Sequence, residues 1–335
     1  MNRKIGAGLG AALFFAVIAL GGYLFWFSRA PMSTDGREFI VPPGMTLRAF
    51  SRELSAQGVL PDRWTLVVLA RLQGQSRGLK AGEYRFRAGM TAFEILDQVV
   101  NGRVIEYPFT IVEGWTFRQV LDALRSLPRI AHTLQGLSSE VIMGRLDRPR
   151  VHPEGRFFPD TYYYSAGMTD LALLKRALVR MEEVLDREWV ERAPDVPLDT
   201  PDEALVLASI VEKETGVSDE REQIAGVFVR RMRIGMRLQT DPAVIYGLGP
   251  AFDGNLRLAD LRRYSPYNTY MIRGLPPTPI AMPGRDAIHA ALNPDDSGAI
   301  FFVSRGDGTH EFNASLAGHN RAVAKFQTRA RKSTR

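Results

Sequence analysis

The chain has 335 residues, 45% hydrophobic and 24% charged, which is enough for two domains with real cores and excludes a disordered tail or a disulfide-stapled mini-protein. Forty-three Lys and Arg against thirty-seven Asp and Glu give a net charge of +6, yet Arg3, Lys4 and Arg29 sit in residues 1–30 and six more bases follow Gly318, both stretches without an acid. The remainder has thirty-four bases against thirty-seven acids, so the body is mildly acidic and a poor footprint for nucleic acid.

Cysteine is absent, which removes disulfides, thiol nucleophiles and Cys-ligated metals. Ile5 to Phe27 is an uncharged, mostly apolar run of twenty-three residues, long enough to span a bilayer as a helix. Residues 1–4 carry Arg3 and Lys4, so the positive-inside bias keeps them in the cytoplasm and sends everything after Arg29 across the membrane. Tyr23, Phe25, Trp26 and Phe27 crowd the outer end, where an aromatic belt belongs. A cleaved signal peptide is the rival, since Ser28-Arg29-Ala30 resembles a cleavage site, but the apolar run is long for a signal core and Pro31 follows at once. The anchor is the preferred reading: a single-pass protein of the inner, cytoplasmic membrane with its body on the outer side.

Residues 28–37 form a polar linker, and 38–150 hold small strand-turn-helix units and a connecting segment. Gly44-Met45-Thr46, Gly89-Met90-Thr91 and Gly114-Trp115-Thr116 each precede an amphipathic helix pattern; Thr91 with Glu94 and Thr116 with Gln119 fit the capping box, while Thr46 keeps only the hydroxyl cap. Such a unit suits a polymer-binding module, though Gly-x-Thr also simply ends a strand and starts a helix. Short β-rich runs, Arg37 to Val41 and Glu83 to Phe86, precede the copies.

The second region, 151–320, opens helices at Thr169 (with Leu171, Leu174, Leu178, Met181 and Leu185 on one side), at Thr200-Pro201-Asp202-Glu203, and at Ser218. Ala299 to Ser304 and Thr309 to Asn313 read as a hairpin around Arg305-Gly306-Asp307-Gly308, Leu316 to Gln327 as a closing helix, and 321–335 as a basic tail with a frayed end. Helices and short strands mix without β-α-β spacing, so the fold class is α+β.

In the helix Ala204 to Thr215, Ala204, Leu207, Ile210 and Val211 make an apolar stripe on which Glu214 also falls; Glu212 and Lys213 fall outside it. A carboxyl on the apolar side loses hydration, its pKa rises, and it can carry a proton near neutral pH as a general acid. The alternative is a salt bridge at a helix end stopped by Gly216. Further on, Asp241 with Pro242 reads first as a helix cap and second as a substrate ligand. Tyr246, Tyr264, Tyr267, Asn268 and Tyr270, then Gly274 to Gly284 with four prolines, suit a groove for sugar rings, although a core with hydroxyls at its rim has the same composition. The five histidines lack metal-site spacing, and no Gly-x-Ser-x-Gly, P-loop or dinucleotide motif occurs, so no metal or cofactor is expected.

The stretches Glu154-Gly155-Arg156-Phe157-Phe158-Pro159-Asp160-Thr161-Tyr162, Ala208 to Thr215, Gly235 to Gly247, and Tyr267-Asn268-Thr269-Tyr270 with Gly274-Leu275-Pro276-Pro277 resemble the MltG (YceG-like) family of endolytic murein transglycosylases. The resemblance covers nearly the whole chain and implies cleavage of peptidoglycan strands outside the cytoplasmic membrane, a LysM-like N-terminal module, and a catalytic domain at 151–320. It implies one catalytic glutamate, matched to Glu214, and a groove shaped by Gln239, Thr240, Asp241, Tyr246, Tyr267, Asn268, Tyr270, Phe158 and Asp160. Its products carry 1,6-anhydro-muramyl ends, which could terminate strands, and its partners are glycan strands, the membrane and peptidoglycan synthases (penicillin-binding proteins), with no nucleic acid. Thr278 departs from the glycine expected in the proline-rich loop. Two alternatives stand beside it: a hydrolase in which Asp241 or Asp160 is a second carboxylate, and a scaffold that binds the wall and recruits synthases without cleaving. An older label for related sequences, aminodeoxychorismate lyase, requires pyridoxal phosphate and sits poorly with a membrane anchor.

Overall fold

The computed structural model describes residues 2–34, 36–75 and 78–333, with side chains from 12 to 326; the tail residues Arg329, Arg331, Lys332 and Arg335 and the leading Arg3 and Lys4 lie outside the described side chains. The chain is mixed α+β and divides into two units. The first runs to Tyr107 and adds Arg129–Ala131 and Tyr163–Met168; the second comprises Pro108–Pro128, His132–Tyr162 and Thr169 onward.

Helix α1 (Asn2–Arg29) contains one window, Ala12–Arg29, long and apolar enough to cross a membrane. Strand β1 (Glu38–Val41), helices α2 (Leu47–Ala56) and α3 (Thr65–Leu72), strand β2 (Gly82–Arg85) and helix α4 (Ala92–Asn101) follow. β1 and β2 pair antiparallel with Phe39 opposite Tyr84. The three Thr caps are as expected: Thr46 accepts from Ala49, and Thr91 with Glu94 closes a full capping box. The core of this unit gathers Phe39, Phe50, Leu54, Leu66, Tyr84, Phe86 and Ile95. Phe27 belongs to it too, fully buried, so the last turn of α1 is part of the fold.

β3 (Glu106–Thr110) pairs with β4 (Thr161–Ser165), and between them lie α5 (Phe117–Arg125), capped by Thr116 and Gln119, and α6 (Ser139–Arg145). Then come α7 (Asp170–Val190), α8 (Pro201–Glu214), α9 (Arg221–Arg233), α10 (Asp241–Leu248), α11 (Leu258–Arg262), α12 (Arg285–Leu292), the hairpin β5 (Phe301–Ser304) with β6 (His310–Asn313), and α13 (Leu316–Ser333). Two boundaries and one buried face differ from the sequence expectation. A short 3-10 turn takes Ser218–Glu220, so α9 starts later than Ser218; α13 continues to Ser333 rather than ending at Gln327; and on α7 Leu173 is buried while Leu171 is half-buried.

The core of the second unit is built around α8. Residues Ala204 to Val211 are all buried, packed on by α7, α9, α10 and α12. α8 is therefore enclosed on every side and not merely along a stripe. Burying Leu205, Leu207, Ile210 and Val211 contributes about 1.5–3 kcal/mol apiece, which fixes the register of the helix and of whatever its last turn presents.

Candidate active site

The last turn of α8 leaves the core and sends three consecutive side chains in three directions. Thr200 caps the other end, its hydroxyl accepting from Glu203 N–H at 3.2 Å, with Pro201 at the first position. The helix stops at Thr215, which is extended at φ −143° and ψ 140°, and not through a left-handed Gly216.

Glu212 accepts from Gly284 N–H at 3.0 Å and lies 3.7 Å from Arg221, its side chain only 7% exposed. The expectation that Glu212 stays clear of the buried face is corrected: α9 and the proline-rich segment cover it, which a single-helix projection cannot show. Lys213 donates to Gly114 C=O at 3.2 Å. Glu214, partly buried, pairs with no cation among the described residues, so the helix-end salt bridge is not what the structure contains. Burial pushes its carboxyl up to about 7; the Thr240 hydroxyl pulls it back, the Asp241 carboxylate pushes it further, and Arg231 pulls it down.

Three of the groups that act on Glu214 come from 231–241. Arg231 is buried, donates from Nε to Ile300 C=O at 2.8 Å and from Nη1 to Leu238 C=O at 2.5 Å, and so fastens the loop after α9. Gln239 takes a left-handed backbone, φ 53°, costly for a residue with a Cβ, and donates its N–H to Thr269 C=O at 3.2 Å. Thr240 and Thr269 exchange two bonds: Thr240 N–H to Thr269 Oγ1 at 3.0 Å and Thr269 Oγ1 to Thr240 C=O at 3.1 Å. Thr240 Oγ1 itself is buried and lacks a hydrogen bond of normal geometry to any group, although it is the hydroxyl that influences Glu214. Asp241 is not the cap expected of it. Thr240 occupies the cap position without a side-chain bond, and the exposed Asp241 accepts from the Tyr270 hydroxyl at 2.7 Å.

A second cluster surrounds Glu154, quoted above only as part of a motif and given no role. It is 4% exposed, accepts from Phe117 N–H at 2.8 Å and from the Tyr246 hydroxyl at 3.0 Å, and burial raises it to about 7 against those donors. The Tyr246 ring meets Tyr267 edge-on at 5.0 Å, and Tyr267 shares a 2.8 Å hydrogen bond with Thr278. The departure at Thr278 thus supplies a partner to a wall tyrosine. Gly155 adopts φ 78°, and a Cβ there would stand 2.5 Å from Pro279, so only glycine lets the proline-rich segment close on this turn. That segment is fixed to α8 through Ile280 N–H to Ser209 Oγ at 3.0 Å. Burial of Glu154 comes from residues far apart in sequence; a carboxyl flanked by glycine and aromatics was the only signal for it.

Of the expected site residues, Glu214, Gln239, Thr240, Asp241 and Tyr270 fall together, and Tyr246 joins Tyr267 beside Glu154. Asn268 does not offer itself to a ligand: it is 1% exposed, its amide N–H groups go to Asp260, Leu261 and Arg263 carbonyls, and its Oδ1 accepts from Tyr270 N–H. Phe158 lies in the core cluster. Asp160 is exposed just before β4; its carboxylate accepts from Thr161 N–H and its carbonyl from Ile111 N–H. Tyr264 is 75% exposed and lines, with Val244, Gly247, Leu248 and Pro266, a separate hollow of about 320 Å³ against α10.

The arrangement offers a proton-carrying carboxyl at Glu214 with a carboxylate, a phenol and an unsatisfied hydroxyl around it, and a second raised carboxyl at Glu154 held by one of a pair of tyrosines. The YceG-like family matches residues 39–325. The chain belongs to the YceG-like family. Among relatives of this YceG-like chain, the endolytic murein transglycosylase of Bacillus subtilis (strain 168) is 28% identical over 320 residues, spanning 88% of this chain and 87% of that protein. The endolytic murein transglycosylase of Streptococcus pneumoniae serotype 2 (strain D39) is 26% identical over 356 residues, covering 93% of this chain but 64% of its own length. A crystal structure of a yceG-like protein from Listeria monocytogenes superposes with a TM-score of 0.55 at 25% identity, over 86% of this chain and 99% of that one.

Proposed function

We propose that this YceG-like chain is an endolytic murein transglycosylase in which Glu214 is the single acid and base. The supporting observation is a carboxyl at the end of a helix whose residues Ala204 to Val211 are all buried, pushed up to about 7, with no cation paired to it among the described residues. A proton held there passes to the glycosidic oxygen between MurNAc and GlcNAc as the C1–O bond breaks. The 6-hydroxyl oxygen of the same MurNAc attacks C1, and its proton returns to Glu214. The carboxyl is regenerated, no water enters, and a 1,6-anhydro end results. Intramolecular attack reduces what the protein must supply beyond acid, base and orientation.

In this reading Gln239, Thr240, Asp241, Tyr246, Tyr267 and Tyr270 line the groove. Glu154 holds Tyr246, and Asn268 holds the backbone that carries Tyr270. Residues 5–27 are the anchor, 38–150 carry a LysM-like glycan-binding module supported by the β1-α2-α3-β2 order, and 151–320 carry the cleavage. The enzyme then sits in the cytoplasmic membrane with its body outside, beside the synthases that supply nascent strands.

Digestion of purified peptidoglycan by wild-type protein and by Glu214→Gln, with product analysis, tests this. Anhydro-muramyl products from the wild type alone are expected. Reducing-end products select a hydrolase, and intact strands with retained binding select a scaffold.

A further inference from the structure

Where α1 leaves its apolar window, its end is built into the first unit. Phe27 is fully buried, Met32 N–H bonds Met90 C=O at 2.8 Å, and Tyr23 donates its hydroxyl to Asp62 at 3.1 Å. Asp62 in turn accepts from Trp64 and Thr65 N–H at 2.6 and 2.8 Å, so the turn before α3 is held rigidly against the side of α1. Tyr23 is six residues before Arg29, about 9 Å back along the helix axis. If Arg29 stands at the phosphate level, the Asp62–Trp64 turn reaches below it, to the boundary of the headgroup and hydrocarbon layers.

The side chains at that depth have the chemistry of a lipid interface. Phe25 and Trp26 on α1 are 61% and 58% exposed, and Trp64 on the turn is 55% exposed. Each aromatic element carries an arginine: Arg29 lies 3.9 Å over Phe25 and Arg63 lies 5.0 Å over Trp64. A concavity of about 730 Å³ opens here, with Phe25, Trp26, Arg29, Pro31, Val59 and Leu60 among its lining residues. The side chains lining the hollow are apolar apart from Arg29 and Ser33 and include the Trp26 indole, and Arg63 and Trp64 follow the lining Pro61 in the chain; such a surface fits acyl chain below and phosphate above.

We propose that the end of α1 and the turn Val59 to Trp64 form a phospholipid-binding site, the lipid's upper acyl chain in the hollow and its phosphate on Arg29 and Arg63. The first unit is then seated on the membrane by two contacts, the helix and the Trp64 turn, which fixes its tilt as well as its height. This rests on α1 being a retained anchor.

The test is tryptophan quenching in full-length protein reconstituted in phosphatidylglycerol vesicles whose acyl chains are brominated near the headgroup. Trp26, Trp64, Trp115 and Trp189 are the four tryptophans, so two reporters are made by changing the other three to Phe. Loss of most of the emission from both the Trp26 and the Trp64 reporter is expected. Quenching of Trp26 with Trp64 untouched overturns the proposal while leaving the anchor standing; quenching of neither overturns the anchor and the proposal with it. Should a reporter fail to fold, Trp64→Ser in the otherwise wild-type chain is expected to remove a quenchable component without altering the melting temperature, and an unchanged quenched fraction overturns the proposal. Arg29→Glu with Arg63→Glu is expected to reduce Trp64 quenching and spare that of Trp26; unaltered Trp64 quenching overturns the phosphate contact.

Discussion

Glu214→Gln is expected to do two opposite things at once. Removing a general acid and base lowers turnover by roughly 10²–10⁴-fold, because an amide cannot donate to the glycosidic oxygen. Stability moves the other way. An ordinary glutamate titrates near 4.5 and Glu214 near 7, so between those values the folded state holds a proton that the unfolded chain releases. Stability is fully present below pH 4.5 and falls as the pH rises to about 7, by up to about 3 kcal/mol for this group. Glutamine has no such loss. The variant therefore matches the wild type near pH 4.5 and exceeds it at pH 8, by a melting shift on the order of 5–10 °C at most. Glu154 and Glu212 titrate in both proteins and cancel in the difference. Calorimetry of both proteins at the two pH values, with digestion assays in parallel, reads both effects. A variant less stable than wild type at pH 8, or one that retains activity, would refute the reasoning.

Glu212→Ala is expected to cost about 2–4 kcal/mol, since Gly284 N–H and the buried Arg221 both lose a partner, whereas Glu212→Gln keeps the Gly284 bond and most of the activity; chemical denaturation and strand cleavage separate the two. Gln239→Gly relieves the left-handed backbone and is expected to hold or raise stability while raising KM, and Gln239→Val at the same φ of 53° is expected to lose at least about 1 kcal/mol. Tyr246→Phe deprives the buried Glu154 carboxylate of a donor at about 1–3 kcal/mol. Because that donor serves the ionised form, the melting deficit should be larger at pH 8 than at pH 5.

Local chemistry was readable in the sequence because its causes are local. Thr46, Thr91 and Thr116 cap helices through atoms three residues away, and the α1 window needs only length and composition. Glu214 was readable for a partly different reason from the one that holds: α8 is enclosed all round, so the stripe was a projection of a fuller burial. The same enclosure hid Glu212, whose cover comes from Arg221 and Gly284 on other elements. Asp241 and Asn268 were misplaced because cap-like and amide residues look alike until their partners are known, here Tyr270 for one and three backbone carbonyls for the other. Glu154 escaped because its donors, Phe117 and Tyr246, stand 37 and 92 residues away.

The central claim is that Glu214 cleaves glycan with the sugar's own hydroxyl and without water. Digestion of peptidoglycan in water enriched in oxygen-18, followed by mass spectrometry of the new ends, tests it most directly. The expected result is anhydro-muramyl ends with no heavy oxygen, absent in Glu214→Gln. Heavy oxygen at a new reducing end would contradict it and place a water-activating second carboxylate in the site.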